Sequence, residues 1–237
     1  MYQNKRHKLP EILRNNAYPG RGIFLGKTPD GRALAGYFIM GRSQNSRNRV
    51  FVAEEDGLLI RPYDETLVRD PSLIIYRPVR RLGKHLIVTN GDQTDTVYDA
   101  LKEGGSFEEA LRTRAFEPDA PNFTPRISGL MSLEDGGFSL SILRAADALG
   151  SACDRMFYEY AAIPGEGRFI HTYAQDGNPL PSFFGEPGRI VIPEDSKAFG
   201  EAVWQALHPE NRIALYLRVS DLKTGETGVT VYNRYSV

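Results

Sequence analysis

The sequence predicts an α+β protein built mainly from antiparallel strands, and three observations lead to this class. Short apolar runs recur along the chain with turn residues between them, which is typical of antiparallel meanders. Helical patterns are few and fall in two clusters. The composition, 41% hydrophobic and 25% charged over 237 residues, is that of an ordinary globular protein with a real core. Helices covering two stacked sheets would satisfy all three observations.

The strands are predicted from apolar runs bounded by Gly, Asp, Asn or Pro. Asp30-Gly31 indicates a hairpin between the first two runs, and Asp56-Gly57 indicates another. The predicted strands cover residues 22–27, 33–40, 49–54, 57–63, 72–76, 84–89, 125–132, 138–144, 155–162, 168–173, 189–192, 212–219 and 228–235.

The helices are located by capping signals and by apolar residues at helical spacing. Ser106 is followed three residues later by Glu109, which is a capping box and predicts a helix over 106–114. The other predicted helices cover residues 10–15, 94–102 and 193–207.

Charge and composition exclude several classes of partner. The net charge is −1, so the surface as a whole does not attract nucleic acid or acidic membranes, and neither is expected as a partner. The single cysteine, Cys153, excludes an intrachain disulfide, and no apolar run approaches the roughly 20 residues of a membrane span. We expect a cytoplasmic protein with one domain over 17–237 and an extension over 1–16. Exposed strand edges or helices could support a homo-oligomer, but no residue pattern specifies one.

An arginine-rich stretch lies between two predicted strands. Residues 41–49 contain Arg42, Arg47 and Arg49 together with five hydroxyl or amide side chains. The forked guanidinium matches phosphate oxygens, and strand alternation would aim Arg47 and Arg49 the same way. A solvated hairpin loop explains the same residues equally well.

A tyrosine, Tyr76, ends another predicted strand and is followed by three arginines. Its hydroxyl could serve a ligand, although tyrosines at strand ends usually have a structural role because an amphipathic ring suits a half-wet position.

The stretch TNGDQTD, residues 89–95, connects a strand to a helix with more polar groups than a turn requires. One interpretation is a turn followed by an N-cap, a position that Asn, Asp and Thr all favour. The other is a polar cradle, in which Asn90, Asp92 and Gln93 hold a ligand at the start of the helix. Composition alone does not decide between them.

Two further loops carry candidate site residues. The proline-stiffened segment 117–127 carries Glu117, Asp119, Asn122 and Arg126, and a stiff polar loop can hold a catalytic group still. The aromatic segment 171–187 could form the wall of a pocket or be an ordinary surface loop. No pair of histidines has metal-ligand spacing and no nucleotide-cofactor motif is present, so no metal and no cofactor is expected.

Four stretches, in this order, resemble the archaeal-type IMP cyclohydrolase family. They are YPGRGIFLGK (18–27), AGYFIMGRSQNSRNR (35–49), SLIIYRPVRRLGKHLIVTNGDQTD (72–95) and EPDAPNFTPRISG (117–129). The resemblance implies a four-layer αββα sandwich like that of N-terminal-nucleophile hydrolases, without their self-processing. It also implies a cyclohydrolase that closes 5-formamidoimidazole-4-carboxamide ribonucleotide to IMP with loss of water in purine biosynthesis.

The resemblance implies roles for the candidate residues. Arg49 and Tyr76 would polarise the formyl oxygen, and Glu117 would assist proton transfer. The remaining candidates would bind the purine nucleotide or shape its pocket: Arg42, Arg47, Asn90, Asp92, Gln93 and Arg126. Two alternatives stay open, a nucleotide-binding or regulatory protein without turnover and an amide hydrolase of the N-terminal-nucleophile class.

Overall fold

The computed structural model describes residues 5–68 and 76–236. Most of the predicted strand 72–76 lies outside the described residues. No helix within the described ranges is long and apolar enough to cross a membrane. The structure is α+β with two antiparallel sheets and few helices, as the sequence predicts.

The elements follow one another with short connections, as expected of antiparallel strands joined by turns. In chain order they are α1 (Leu9–Arg14), β1 (Arg21–Lys27), β2 (Ala33–Met40), α2 (Gln44–Arg47), β3 (Val50–Glu54), β4 (Gly57–Arg61), β5 (Val79–Leu82), β6 (His85–Thr89), α3 (Gln93–Lys102), α4 (Phe107–Arg112), β7 (Arg126–Ser132), β8 (Phe138–Ala145), β9 (Cys153–Tyr160), β10 (Glu166–His171), β11 (Gly188–Val191), α5 (Ser196–Ala206), β12 (Arg212–Ser220) and β13 (Thr227–Asn233).

The strands form one sheet of six and one of seven. The first sheet has the order β11-β10-β1-β2-β12-β13, and the second runs β3-β4-β5-β6-β7-β8-β9. The second sheet is a meander in which each strand pairs with its sequence neighbour, so its connections all lie at the two ends of the strands. The end of β6 and the start of β7 therefore lie side by side, and the candidate residues Asn90 and Arg126 are found there.

The two sheets stack face to face through alternate residues of their strands. In β1, Ile23 and Leu25 belong to the core between the sheets, whereas Phe24 between them belongs to a core on the opposite face. Across the interface the rings of Tyr37 and Phe51 stack, with centroids 5.6 Å apart. Burial of a large apolar side chain contributes about 1.5–3 kcal/mol, so this shared core and the core on the outer face of the first sheet both contribute strongly to stability.

Helices cover the outer face of each sheet. Helices α1 and α5 pack with Phe24 and its neighbours on the first sheet, and α3 and α4 pack with Ile87 and Leu143 on the second. Helix α4 starts as predicted, because Ser106 Oγ accepts from Glu109 N and the Glu109 carboxylate accepts from Ser106 N at 2.9 Å.

The segment expected to be an N-terminal extension is docked on the first sheet. His7 N donates to Arg189 O at 3.0 Å, and His7 O accepts from Val191 N at 2.9 Å. Leu9 and Leu13 are buried in the core under α5. Residues 7–14 therefore contribute to the hydrophobic core.

Three local predictions need correction. Strand β5 was not predicted, because VRRL has only two apolar residues and is held in place by pairing with β4 and β6. Helix α5 begins at Ser196 and not at residue 193, since the side chain of Asp195 accepts from Ala198 N and caps it. The arginine-rich stretch forms the one-turn helix α2, closed by a capping box between Ser43 and Ser46.

Candidate active site

A cavity of about 420 Å³ opens at one end of the space between the two sheets. Its lining draws on segments that are far apart in sequence, because the turns at this end of both sheets converge there. The predicted residues that line it are Arg49, Tyr76, Asn90, Asp92, Glu117 and Arg126. The lining also includes Arg21, Asn45 and Ser46.

Arg49 supplies a buried guanidinium to this cavity. Its Nε donates to Ser46 O at 2.7 Å, and the side chain is almost fully buried. No carboxylate among the described residues lies within 4.0 Å of it, so its charge has no ion-pair partner there. Burial lowers the pKa of Arg49, and the nearby Arg21 lowers it further. Such a group gains from any negatively charged oxygen that enters the cavity.

Tyr76 points its hydroxyl at Tyr37 of β2. The two hydroxyl oxygens are 3.0 Å apart, and Tyr37 is completely buried in the core between the sheets. Burial raises the pKa of Tyr76, while Arg21 and Arg49 act in the opposite direction. Because the pKa lies above the usual value for tyrosine, Tyr76 remains protonated at neutral pH and can donate a hydrogen bond.

Glu117 is held by the backbone of its own loop. Its N donates to Thr124 O at 2.9 Å, which closes the loop that begins at Glu117. Asp119 accepts from both the amide and the hydroxyl of Thr124, and the same hydroxyl lies 2.6 Å from Tyr173 Oη. Tyr173 belongs to the aromatic segment 171–187, so that segment anchors the loop that presents Glu117.

The polar groups of TNGDQTD bind the neighbouring strand. Asn90 Nδ2 donates to Pro125 O at 2.9 Å, and its Oδ1 accepts from Ile127 N and from Gln93 Nε2, each at 2.9 Å. Gln93 is fully buried behind the lining, with Nε2 also 3.3 Å from Ile127 O. Asn90 lines the cavity with one amide hydrogen left to donate, whereas both amide donors of Gln93 are already used. These hydrogen bonds thus tie the turn after β6 to the start of β7, and part of the Asn90 side chain faces the cavity.

Asp92 pairs with two arginines and does not cap α3. Arg126 Nη1 donates to Asp92 at 2.7 Å and to Gln93 Oε1 at 2.7 Å, and Arg114 binds the second carboxylate oxygen. Partial burial would raise the pKa of Asp92, but the hydrogen bonds and charges of Arg114 and Arg126 lower it below the usual range. Arg126 therefore already has an ion-pair partner, which it shares with Arg114.

Arg42 and Arg47 do not line the cavity. Arg42 pairs with Asp176 at 2.7 Å and lies over the Tyr18 ring. Arg47 Nε donates to Gly41 O at 3.1 Å. The expectation that strand alternation aims Arg47 and Arg49 the same way is wrong, because residue 47 ends α2 and β3 begins only at Val50.

Arg21 lines the cavity and was not among the predicted site residues. It is the first residue of β1, two positions before Ile23, whose side chain lies in the core between the sheets. The sequence signal for this site residue was a charged side chain on the same strand face as the inward-facing apolar residues of β1. Arg21 Nε is buried and has no hydrogen-bond partner within the described structure.

Another groove, larger than this cavity, offers less chemistry. It measures about 580 Å³ and lies on the outer face of the first sheet between β13 and α5. Its lining mixes exposed charges of both signs, including Lys197 and Glu226, which solvent screens. Within residues 5–68 and 76–236, no group of three His, Cys, Asp or Glu side chains comes together to hold a metal ion.

Comparison with known proteins gives a consistent result. A model of the family described as IMP cyclohydrolase-like protein matches residues 18–225. A protein named IMP cyclohydrolase from Methanopyrus kandleri is 30% identical over 182 residues, which cover 70% of this chain and 89% of that protein. One of the same name from Methanococcus maripaludis strain C7 is 36% identical over 121 residues, 48% of this chain.

Coverage of the relatives is uneven. The match spans 58% of the Methanococcus maripaludis protein, and 73% of an IMP cyclohydrolase from Methanosphaera stadtmanae that is 26% identical over 160 residues. The family match, in contrast, runs from the strand that carries Arg21 to the turn after β12 and includes every predicted lining residue. On this basis the chain belongs to the IMP cyclohydrolase-like protein family.

Proposed function

We propose that this chain is an IMP cyclohydrolase, which closes 5-formamidoimidazole-4-carboxamide ribonucleotide to IMP and releases water. One observation carries the proposal: Arg49, Tyr76, Asn90 and Glu117 come from four separate segments and line one cavity. Family membership supports the same conclusion. The substrate is a small purine nucleotide precursor, and neither nucleic acid nor a membrane is proposed as a partner.

The reaction asks for orientation, charge stabilisation and proton transfer. The carboxamide nitrogen attacks the formyl carbon of the same molecule, so holding the two groups face to face supplies much of the rate enhancement. Arg49 and Tyr76 donate to the formyl oxygen as it takes up negative charge. Glu117 accepts the proton that the attacking nitrogen loses and passes it towards the departing oxygen.

The other lining residues bind the rest of the nucleotide. Asn90 offers one free amide hydrogen, which suits an oxygen or ring nitrogen of the substrate. Arg126 and Asp92 hold one another in place and present a polar edge to the cavity. Gln93 positions both Asn90 and Arg126 from behind and contributes indirectly.

We also propose that the fold is a four-layer αββα sandwich resembling that of N-terminal-nucleophile hydrolases, with residues 17–237 as one domain, against whose first sheet residues 7–14 pack. Helices on the outer face of each of two stacked sheets support this layering. A cytoplasmic location would fit a purine biosynthetic enzyme.

The test is to incubate the protein with the formyl substrate and follow IMP formation by absorbance. Turnover in the wild type, lost in Arg49→Ala and Glu117→Gln, supports the proposal. Matched controls are Arg32→Ala, at a half-buried residue, and Glu134→Gln, at an exposed one; both lie outside the cavity lining, so both variants should retain full activity. Tight binding of IMP without turnover in the wild type would instead indicate a nucleotide-binding protein that has lost catalysis.

A further inference from the structure

Arg21 is fixed in direction by its backbone. Its N donates to Thr172 Oγ1 at 3.1 Å, and its carbonyl accepts from Thr172 N at 3.0 Å. Gly20 before it has a φ of +78°, and a Cβ there would overlap Thr172 and the ring of Tyr173. The chain therefore enters β1 in one conformation, with the Arg21 side chain on the same strand face as Ile23.

The surroundings leave the Arg21 guanidinium short of partners. Its Nε is buried without an acceptor, which is unfavourable in a folded protein. Among the described residues no carboxylate lies within 4.0 Å of its guanidinium nitrogens. Burial lowers the pKa of Arg21, but the charge of Glu117, with smaller contributions from Tyr173 and Tyr76, raises it above the usual arginine range. Arg21 is therefore permanently charged.

Two arginines at this end of the cavity are not held in ion pairs. Arg126 pairs with Asp92, whereas Arg21 and Arg49 have no carboxylate within 4.0 Å among the described residues, although Glu117 and Asp119 line the same cavity. The two guanidiniums also act on each other, since Arg21 lowers the pKa of Arg49. Two guanidiniums without a direct ion-pair partner thus lie beside a phenol donor, an arrangement that favours an oxygen that becomes negative during the reaction.

We propose that Arg21 is a further catalytic residue, which together with Arg49 binds the formyl oxygen as it becomes an oxyanion. This inference rests on the proposed function. It differs from a role in binding the 5′-phosphate, because Arg21 lies beside Tyr76 and Glu117, two of the groups proposed to act at the reacting carbon.

The step balances without any co-reactant. The carboxamide nitrogen forms a bond to the formyl carbon, and the C=O electron pair moves onto the formyl oxygen, where Arg21 and Arg49 stabilise it. One proton leaves the carboxamide nitrogen and one leaves the formamido nitrogen. Both end on that oxygen, the C–O bond breaks, and water departs as the ring double bond forms.

Three variants are compared with the wild type. For each protein we would measure the turnover number, and the affinity for IMP by calorimetry. Arg21→Ala removes the group, and Arg21→Lys keeps the charge but loses the forked donors. Arg218→Ala is the matched control, since Arg218 is also buried and without a carboxylate within 4.0 Å among the described residues, but lies outside the cavity lining. Thermal unfolding of each variant confirms that it is folded.

The expected result is a fall in kcat of about 10²–10³-fold for Arg21→Ala and at least about tenfold for Arg21→Lys. IMP affinity should change less than about threefold, because the product no longer carries the formyl oxygen. Millimolar guanidinium should restore part of the kcat of Arg21→Ala and leave Arg218→Ala unaffected, an effect that a merely structural role would not produce.

Two results would overturn the inference and leave the proposed function intact. A kcat within about threefold of wild type in both Arg21 variants removes the catalytic role, and a loss of IMP affinity of more than about tenfold with unchanged kcat moves Arg21 to product or phosphate binding. Absence of turnover in the wild type overturns the proposed function and this inference with it, so the two failures are distinguishable.

Discussion

Removing the hydroxyl of Tyr76 separates the catalytic role of this residue from its structural one. The Tyr76→Phe variant keeps the ring but leaves the Tyr37 hydroxyl without the only side-chain partner that the described residues give it. Tyr37 is completely buried, so water cannot replace that partner. The companion variants are Tyr37→Phe and the double variant Tyr37→Phe/Tyr76→Phe.

The magnitudes follow from this pair of hydroxyls. A buried hydroxyl left unpaired costs about 1–3 kcal/mol, whereas removing both partners is nearly neutral. Tyr76→Phe should therefore lower Tm by about 2–4 °C for each kcal/mol lost, and the double variant should regain most of that loss. If Tyr76 donates to the developing oxyanion, kcat should fall by about 10²–10³-fold in both variants that lack it.

Thermal unfolding and the absorbance assay for IMP measure the two effects on the same preparations. The expected pattern is that the double variant recovers stability without recovering activity, while Tyr37→Phe stays within about tenfold of wild-type kcat. Tyr76→Phe with a kcat within about threefold of wild type would refute the catalytic role. A double variant that is less stable than Tyr76→Phe alone would refute the reasoning about the buried hydroxyl pair.

The remaining predictions concern pH, packing and loop anchoring. Burial lowers the pKa of His171 from 6.5 to about 4, so the folded protein binds fewer protons than the unfolded chain in this interval, and stability should fall by up to about 3 kcal/mol as pH drops from 6.5 to 4. Urea unfolding across pH measures this fall, which His171→Asn should remove. A Cβ at Gly36 would overlap a neighbouring aromatic ring, so Gly36→Ala should cost about 1–3 kcal/mol in urea unfolding. Gly228→Ala, with open space around it, should cost less than about 0.5 kcal/mol. Tyr173→Phe removes a hydroxyl that anchors the 117–126 loop, and steady-state kinetics should show a lower kcat with KM nearly unchanged.

Local sequence signals sufficed for most of the fold. The Asp-Gly turns and the apolar runs predict β1 to β4 with boundaries within two residues, and the capping box at Ser106 predicts the start of α4. Strand β5 was not predicted, because its four residues have little strand propensity of their own and depend on pairing with both neighbouring strands. Pairing of this kind is set by tertiary context and leaves no periodic trace in the sequence.

The site residues could be predicted only in part from the sequence, for the same reason. Composition could not show that the side chains of Asn90 and Gln93 form hydrogen bonds with residues 125–127, because this depends on β6 and β7 being adjacent. Nor could it show that Arg42 and Arg47 turn away from the cavity, since this depends on the one-turn helix that forms between β2 and β3. Arg21 lay in a matched stretch but was overlooked, because a single arginine at a strand start looks like a solvated end.

A crystal of the protein soaked with IMP tests the central claim most directly, namely that residues from separate strand ends form one nucleotide site. We predict density for the purine ring in the cavity of about 420 Å³, with Asn90 donating to the nucleotide and Arg49 and Tyr76 beside the carbon that closes the ring. Density for IMP in any other groove, or an empty cavity at saturating IMP, would contradict the account.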